Sequence, residues 1–176
     1  MRFADPKANI HAFRLGPGML VADFGAGIGA YTLAAAHAVG RRGRVYAIDV
    51  QQELLGRIKS AASREKLENV EIVWGDIESK GGSKLPDESV DAVIISNALF
   101  LMEHKDGAVE EVSRILRKKG KALVIDWKDS FGGLGPVESA VITEKEARAL
   151  FERHGFLPER DIQAGAHHYG IVFKKA

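Results

Sequence analysis

The chain has 176 residues, of which 45% are hydrophobic and 28% are charged, with a formal net charge of +1 and no cysteine. These values are typical of a globular protein, and we expect a single domain over residues 1–176 that buries about 70% of its unfolded surface. A net charge this close to zero does not indicate strong nucleic-acid binding through neutralisation of phosphates. The lack of cysteine excludes disulfides and zinc–thiolate sites within the chain.

No basic-then-apolar leader and no apolar run of 18 residues occurs, so we expect a cytoplasmic protein that does not span a membrane. Residues 1–18 predict an N-terminal helical leader, in which Ile10 and Phe13 recur at helical spacing. Asp5-Pro6 is a signal for the start of the helix, and Gly16-Pro17-Gly18 is a signal for its end.

The segment VADFGAGIGA, residues 21–30, predicts a strand, a tight turn and the start of a helix. Its glycines stand where a ligand approaches the backbone more closely than a β-carbon allows. They also fit the dinucleotide-binding pattern, so they do not by themselves distinguish a nicotinamide cofactor from S-adenosylmethionine. Asp23 favours the second, because a carboxylate would oppose a pyrophosphate but attract a sulfonium and an ammonium.

This segment resembles the first motif of the class I S-adenosylmethionine-dependent methyltransferases, an acidic residue followed by G-x-G-x-G. The chain is similar to their small, quinone-biosynthesis-like group from about Phe3 to Phe173. The resemblance implies that Phe3 or Pro6 lies near the transferred methyl group, although a helix that only covers the edge of the sheet is an alternative. The cofactor residues that the motif implies are Asp23, Gly25, Ala26, Gly27 and Gly29.

Residues 43–49 predict a second strand that ends in Asp49, about 20 residues past the glycine loop, where an acid accepts hydrogen bonds from ribose hydroxyls. The alternative is a helix N-cap for the amphipathic segment 51–66. Val50 is then expected to border the adenine.

A third strand is predicted at Val70–Trp74. The resemblance implies that Asp76 accepts a hydrogen bond from the adenine amino group, and Ile77 is expected to cover one face of the ring. A loop or cap role is the alternative for Asp76.

Residues 79–88 predict a mobile loop before a fourth, buried strand at Val90–Ser96. Asn97 follows that strand at the sheet edge where open α/β sheets bind ligands, so we expect it to face the site. The resemblance implies that it contacts the cofactor methionine or the acceptor there. A turn-forming role explains Asn97 equally well. His104 is a further candidate on the acceptor side.

The remaining segments predict a helix over 107–118, a strand over 121–126, a glycine-rich loop over 127–136, a helix over 143–154 that begins with a capping box, and two strands over 156–164 and 168–174. The βα alternation followed by a hairpin predicts a three-layer α/β/α sandwich. The resemblance adds that the sheet is Rossmann-like and seven-stranded, mostly parallel, with an antiparallel last strand.

The candidate catalytic residues are Asn97, His104 and His168, since a histidine could manage the proton of an oxygen or carbon acceptor. Adjacent strand residues point to opposite faces, so His167 and His168 cannot share one metal ion, and we expect no metal. The predicted reaction is methyl transfer from S-adenosylmethionine to an N, O or C acceptor.

A non-catalytic S-adenosylmethionine-binding subunit and an NAD-dependent oxidoreductase are the alternatives. The short chain favours an acceptor carried on a larger molecule, a mobile loop as a lid, or a lid from a second subunit in a homodimer. A small hydrophobic acceptor enclosed by the N-terminal helix is the alternative.

Overall fold

The structure is a computed structural model that describes residues 4–176, so the predicted role of Phe3 lies outside the described residues. The helices are α1 (Pro6–Phe13), α2 (Ala30–Val39), α3 (Gln52–Arg64), α4 (Lys105–Ile115) and α5 (Glu144–Glu152). The strands are β1 (Leu20–Phe24), β2 (Arg44–Asp49), β3 (Val70–Trp74), β4 (Val90–Ser96), β5 (Leu116–Trp127), β6 (Phe156–Gly165) and β7 (His168–Lys175). Short 3₁₀ turns occupy Leu99–Leu101 and Glu138–Ala140.

The seven strands form one sheet in the order β3-β2-β1-β4-β5-β7-β6. The pairs among β1 to β5 are parallel, whereas β7 is antiparallel to both β5 and β6. This topology confirms the predicted mostly parallel sheet with an antiparallel last strand. The order reverses between β1 and β4, and ligands of open α/β sheets bind at the carboxyl ends of the strands at such a point.

Helices cover both faces of the sheet, which confirms the three-layer sandwich. On one face Phe24 and Val93 belong to a buried cluster with Val112 of α4 and Phe151 of α5. On the opposite face α1 and α2 share a cluster with alternate residues of the central strands, and α3 packs on β2 and β3. The strands read as continuous apolar runs because both of their faces are buried.

The predicted helix starts are confirmed by capping contacts. The Asp5 carboxylate accepts hydrogen bonds from the backbone N–H groups of Lys7 and Ala8 at 3.0 and 3.2 Å. Thr143 and Glu146 form a reciprocal capping box at the start of α5. These contacts satisfy N–H groups that have no partner within the helix.

The predicted helix over 107–118 is wrong at its carboxyl end, because α4 ends at Ile115 and β5 begins at once. Leu116 is buried and pairs with Val90, after which the register shifts before Ala92 pairs with Lys121. The intervening cations therefore lie on an irregular part of a strand rather than at a helix terminus. Within residues 4–176, no helix has the length and apolar character needed to cross a bilayer.

Candidate cofactor and acceptor cleft

A cleft of about 680 Å³ lies at the carboxyl ends of β1 to β4, at the point where the strand order reverses. It brings together the predicted cofactor residues Asp23, Gly25, Ala26, Gly27, Asp49, Val50, Asp76, Ile77 and Asn97. The same cleft is lined by Pro6, Tyr31, Ser96, Leu101 and Met102, among others. Residues from five separate segments of the chain, 4–6, 23–31, 49–54, 75–78 and 96–102, thus meet at one edge of the sheet.

The glycine loop leaves β1 and turns over the end of β2. The N–H groups of Gly25 and Ala26 both donate to the Ile48 carbonyl, at 2.9 and 3.0 Å. Gly27 lines the cleft with a φ of 55°, a left-handed conformation that favours glycine. A β-carbon here would have no atom closer than 3.9 Å, so the wall at Gly27 is bare backbone.

Gly29 is the predicted cofactor residue that the structure places outside the cleft lining. It is the N-cap of α2, with a φ of 83°, and a β-carbon there would lie 2.7 Å from Cγ1 of Ile58. The close approach of α3 therefore explains this glycine without a ligand. A regular glycine spacing does not distinguish a packing requirement from a binding one, because both exclude a side chain.

Asp49 ties the glycine loop to the start of α3. Its Oδ2 accepts a hydrogen bond from the Gly27 N–H and its Oδ1 accepts one from the Gln51 N–H, both at 2.9 Å. The N-cap of α3 is Gln51, so the alternative role of Asp49 as the helix N-cap is wrong, and Asp49 lines the cleft while it bonds the residue before the helix. Each oxygen retains capacity to accept a second hydrogen bond.

Asp23 lies beneath the loop, buried, with its Oδ2 accepting a 2.6 Å hydrogen bond from the Thr32 hydroxyl. Burial raises the pKa of Asp23 to about 6, the Thr32 hydrogen bond opposes that rise, and the charge of Asp49 adds to it. Two carboxylates that are close enough to raise a pKa favour a cationic ligand, which would stabilise both of their charges.

The third strand ends at the segment predicted to contact the adenine. The Asp76 Oδ1 accepts a hydrogen bond from the Glu78 N–H at 3.0 Å, and its Oδ2 accepts one from the Ser79 hydroxyl at 2.7 Å. Asp76 thus has the turn-capping contacts of the alternative role and also lines the cleft. Across from it, Val50 is 57% exposed, and its carbonyl accepts a 3.0 Å hydrogen bond from Nε1 of Trp74.

Asn97 follows β4 with a φ of 53°, which is uncommon for a residue with a side chain. Its backbone N–H donates to the Ile125 carbonyl at 2.9 Å, so its backbone is held against β5. The side-chain Oδ1 is buried and has no hydrogen-bond partner among the described residues. The left-handed φ fits the turn-forming alternative, because asparagine adopts this conformation in turns. The buried atom without a partner is the feature that indicates a functional position.

The two candidate catalytic histidines lie away from the cleft lining. His104 is exposed at the N-cap of α4, where its backbone N–H donates to Oε2 of Glu78, and it lines a different surface cavity. His168 is buried with its ring 4.3 Å from the Trp127 ring, and burial lowers its pKa. Neither of its ring nitrogens has a partner among residues 4–176. Of the three candidates, the structure brings only Asn97 into the cleft.

A family model described as a methyltransferase domain matches residues 15–156. The chain belongs to the methyltransferase domain family. This membership confirms the resemblance to the class I enzymes and S-adenosylmethionine as the cofactor of the fold.

One relative in the methyltransferase domain family is the ubiquinone/menaquinone biosynthesis C-methyltransferase UbiE of Hydrogenovibrio crunogenus. It is 32% identical over 123 residues, which cover 66% of this chain and 46% of the relative. The arsenite methyltransferase of Halobacterium salinarum is 31% identical over 112 residues, which cover 64% of this chain and 28% of the relative. The chain thus spans less than half the length of these relatives.

The fold comparison covers nearly the whole chain. The crystal structure of a SAM-dependent methyltransferase from Aquifex aeolicus is 28% identical, with a TM-score of 0.89 over 99% of this chain and 91% of that one. The three-layer arrangement of this methyltransferase domain is therefore shared with a solved structure of similar size.

Sequence reasoning missed Tyr31, Ser96, Leu101 and Met102 as lining residues of the methyltransferase domain. Tyr31 stands two residues after the last motif glycine, and Leu101 and Met102 follow Asn97 closely, so proximity to recognised positions was the available signal. Among residues 4–176, no group of three or more histidine and acidic side chains could hold a metal ion.

Proposed function

We propose that this chain transfers the methyl group of S-adenosylmethionine to an acceptor at the carboxyl edge of its sheet. The observation that carries the proposal is the cleft in which Asp23, Asp49 and the bare backbone of Gly27 meet. When bound, S-adenosylmethionine supplies an electrophilic methyl group, and S-adenosylhomocysteine is released after transfer.

The residues of the cleft would bind and align the reactants. Asp49 is proposed to accept hydrogen bonds from the ribose, and Asp76 to accept one from the adenine amino group. Val50 and Ile77 would border the ring. Asn97 would orient the methionine end or the acceptor through its unpartnered Oδ1. Alignment of the acceptor atom with the methyl group is the main contribution a protein makes to this displacement.

The cleft lining includes several apolar side chains. Ile28 and Leu101 line it and are 75% and 69% exposed, and Pro6 and Met102 also line it. Large exposed apolar side chains at a cleft favour an acceptor, or part of one, that carries apolar surface. His104 and His168 stay predictions as proton-managing residues, which an amine acceptor would not need.

The acceptors of the two named relatives are not transferred to this chain. Trivalent arsenic is a soft centre that favours thiolate ligands, and this chain has no cysteine to provide them. A quinone-like ring would suit the apolar wall, but the relative named for that pathway is more than twice as long as the matched segment. A cytoplasmic location and a homodimer stay predictions.

A non-catalytic cofactor-binding subunit is the alternative, and the position of both histidines outside the cleft lining favours it. The deciding experiment is calorimetric titration with S-adenosylmethionine, S-adenosylhomocysteine and NAD in parallel, followed by an assay for S-adenosylhomocysteine release with amine, phenol and quinol acceptors. Binding of the first two ligands with turnover supports the enzyme. Binding without turnover on any acceptor favours the silent subunit, and binding of NAD alone would overturn both.

A further inference from the structure

The segment that carries Asp76 is fastened to α4 by a buried carboxylate that lies outside the cleft. Glu111 is fully buried on α4, and its Oε2 accepts a hydrogen bond from the Gly81 N–H at 2.8 Å. Its Oε1 accepts bonds from the N–H and the hydroxyl of Ser83, at 3.1 and 2.5 Å. The Glu111 side chain therefore holds the predicted mobile loop, residues 79–88, at two positions, Gly81 and Ser83.

Arg114, one turn further along α4, completes this anchor. Its Nε and Nη2 donate to the two oxygens of Glu111 at 2.8 and 2.6 Å, a bidentate pairing. The same guanidinium donates to the Leu85 carbonyl and to Asp87, at 2.8 and 2.6 Å. Burial raises the pKa of Glu111, but the hydrogen bonds from Arg114, Ser83 and Gly81 outweigh it and lower that pKa to about 2. Glu111 is thus a carboxylate at all ordinary pH values.

The anchored residues flank the point of closest backbone contact with Asp76. Gly82 lies between Gly81 and Ser83, and a β-carbon on it would be 1.8 Å from the Asp76 carbonyl oxygen. In the opposite direction, a β-carbon on Gly75 would be 2.2 Å from the Gly82 carbonyl oxygen. The backbone of Gly82 and the backbone of Gly75 and Asp76 pack so closely that only glycine fits at positions 75 and 82. A displacement of Gly82 would therefore displace Asp76.

We propose that Glu111 is a positioning residue for recognition of the purine end of the cofactor. It holds Gly81 and Ser83, which hold Gly82 against Asp76, and Asp76 presents its carboxylate to the 6-amino group. Glu111 itself does not line the cleft. The inference rests on the proposed function, since it assigns to Asp76 the contact with the adenine amino group.

The test measures purine discrimination and not affinity alone. S-Adenosylhomocysteine carries a 6-amino donor, whereas S-inosylhomocysteine carries a 6-oxo acceptor in its place. We expect the wild-type chain to favour the first, and Glu111→Gln to reduce the ratio of the two dissociation constants by about tenfold. Glu110→Gln, on an exposed neighbouring position of α4, is the matched control and should leave the ratio unchanged.

Two further variants keep the test decisive. Ser83→Ala removes one hydroxyl from the anchor and should reduce the ratio in the same direction but less, which provides the measurement if Glu111→Gln does not fold. In the Asp76→Ala background, the further change Glu111→Gln should have no effect on the ratio, because a residue that acts through Asp76 is not additive with it.

Equal loss of affinity for both ligands in Glu111→Gln or Ser83→Ala would show a merely structural role and overturn the inference. An unchanged ratio of the two dissociation constants in either variant would also overturn the inference. If the wild-type chain binds neither S-adenosylmethionine nor S-adenosylhomocysteine, the proposed function fails and this inference fails with it. Binding by the wild type with normal discrimination in the variants would instead remove the inference alone.

Discussion

The two halves of the carboxyl edge of the sheet differ in how completely their polar groups are paired. Around β1, β2 and β3, the carboxylates of Asp23, Asp49 and Asp76 all accept hydrogen bonds from the protein. Around β4, β5 and β7, four buried side-chain atoms have no partner among residues 4–176, and they belong to Asn97, His168 and Tyr169. Buried polar groups are rarely left unpaired without a functional reason.

Under the proposed function, we expect the first group of strands to lie on the cofactor side and the second on the acceptor side, and we call them the cofactor half and the acceptor half. In the cofactor half, each of the three carboxylates already accepts a hydrogen bond from the protein. Such bonds hold the carboxylates in place, which suits a cofactor bound in one orientation. The acceptor half also contains Asp126, which is fully buried and accepts hydrogen bonds from the N–H groups of Trp127 and Phe100. Burial raises the pKa of Asp126 to about 6. Of these polar groups only that of Asn97 belongs to a residue lining the cleft, so it is the one that an acceptor bound there could satisfy.

The largest expected effect tests whether the bare backbone at Gly27 forms part of the cofactor site. Gly27→Val should place a branched side chain in the cleft and weaken S-adenosylhomocysteine binding by more than about 100-fold in calorimetry. Gly18→Val is the matched control, because Gly18 also has a positive φ, 84°, but no atom lies within 4 Å of its β-carbon position and it does not line the cleft. Similar losses of affinity in both variants would contradict a direct role of the Gly27 backbone in cofactor binding.

A smaller effect is expected when a side chain of the same half is removed. Asp49→Ala should weaken cofactor binding by about 1–3 kcal/mol, because a buried ribose would lose its charged acceptor. Asp91→Ala is the control at the opposite sheet edge, where Asp91 accepts a hydrogen bond from the Leu20 N–H at 2.8 Å. The control should lower the free energy of unfolding but leave the dissociation constant unchanged. An unchanged dissociation constant for Asp49→Ala would remove Asp49 from the site.

The pKa of Asp23 predicts how cofactor affinity depends on pH. Its folded-state pKa is raised to about 6, so below that pH the free protein holds a proton that a cationic ligand must expel. Affinity for S-adenosylmethionine should therefore rise about tenfold from pH 5 to pH 7. The rise should be smaller for S-adenosylhomocysteine, which lacks the sulfonium, and absent in Asp23→Asn. A persistent rise in Asp23→Asn would assign the titration to another group.

The same raised pKa predicts a change in stability with the opposite sign. Because folded Asp23 binds a proton more tightly than the unfolded chain, its contribution to stability is fully present below about pH 4 and is lost as pH rises through about 6. Chemical denaturation of the ligand-free protein should show that Asp23→Asn removes this dependence. A dependence that persists in the variant would exclude Asp23 as its source.

The smallest expected effect tests the unpaired groups of the acceptor half. Tyr169→Phe removes a buried hydroxyl that has no partner among the described residues, so the free energy of unfolding should stay unchanged or rise by up to about 1 kcal/mol. Tyr31→Phe should instead lower it by about 1 kcal/mol, because the Tyr31 hydroxyl accepts a 2.8 Å hydrogen bond from Nδ2 of Asn9. A clear loss of stability in Tyr169→Phe would contradict the proposed division of the edge.

The sequence by itself predicted the fold class and most of the candidate cofactor residues that the structure brings to one cleft. A strand that ends in an acid or a glycine loop indicates which residues stand at the carboxyl edge, so Asp23, Gly27 and Asp49 could be placed at the cleft from local pattern. Asp76 was placed there by the family resemblance. The pattern that predicts each position lies within a few residues of it, because the end of a buried parallel strand determines where the following residue lies at the sheet edge.

Only the tertiary structure decided the acceptor half and the supports behind the cofactor. His104 follows the Leu99–Leu101 turn but lines a different cavity from the cleft, and the ring of His168 is buried against that of Trp127. The anchor from Glu111 to Ser83 joins residues 28 positions apart. Such contacts depend on which helix packs over which loop, and hydrophobic periodicity identifies the buried face of a helix without naming its partner.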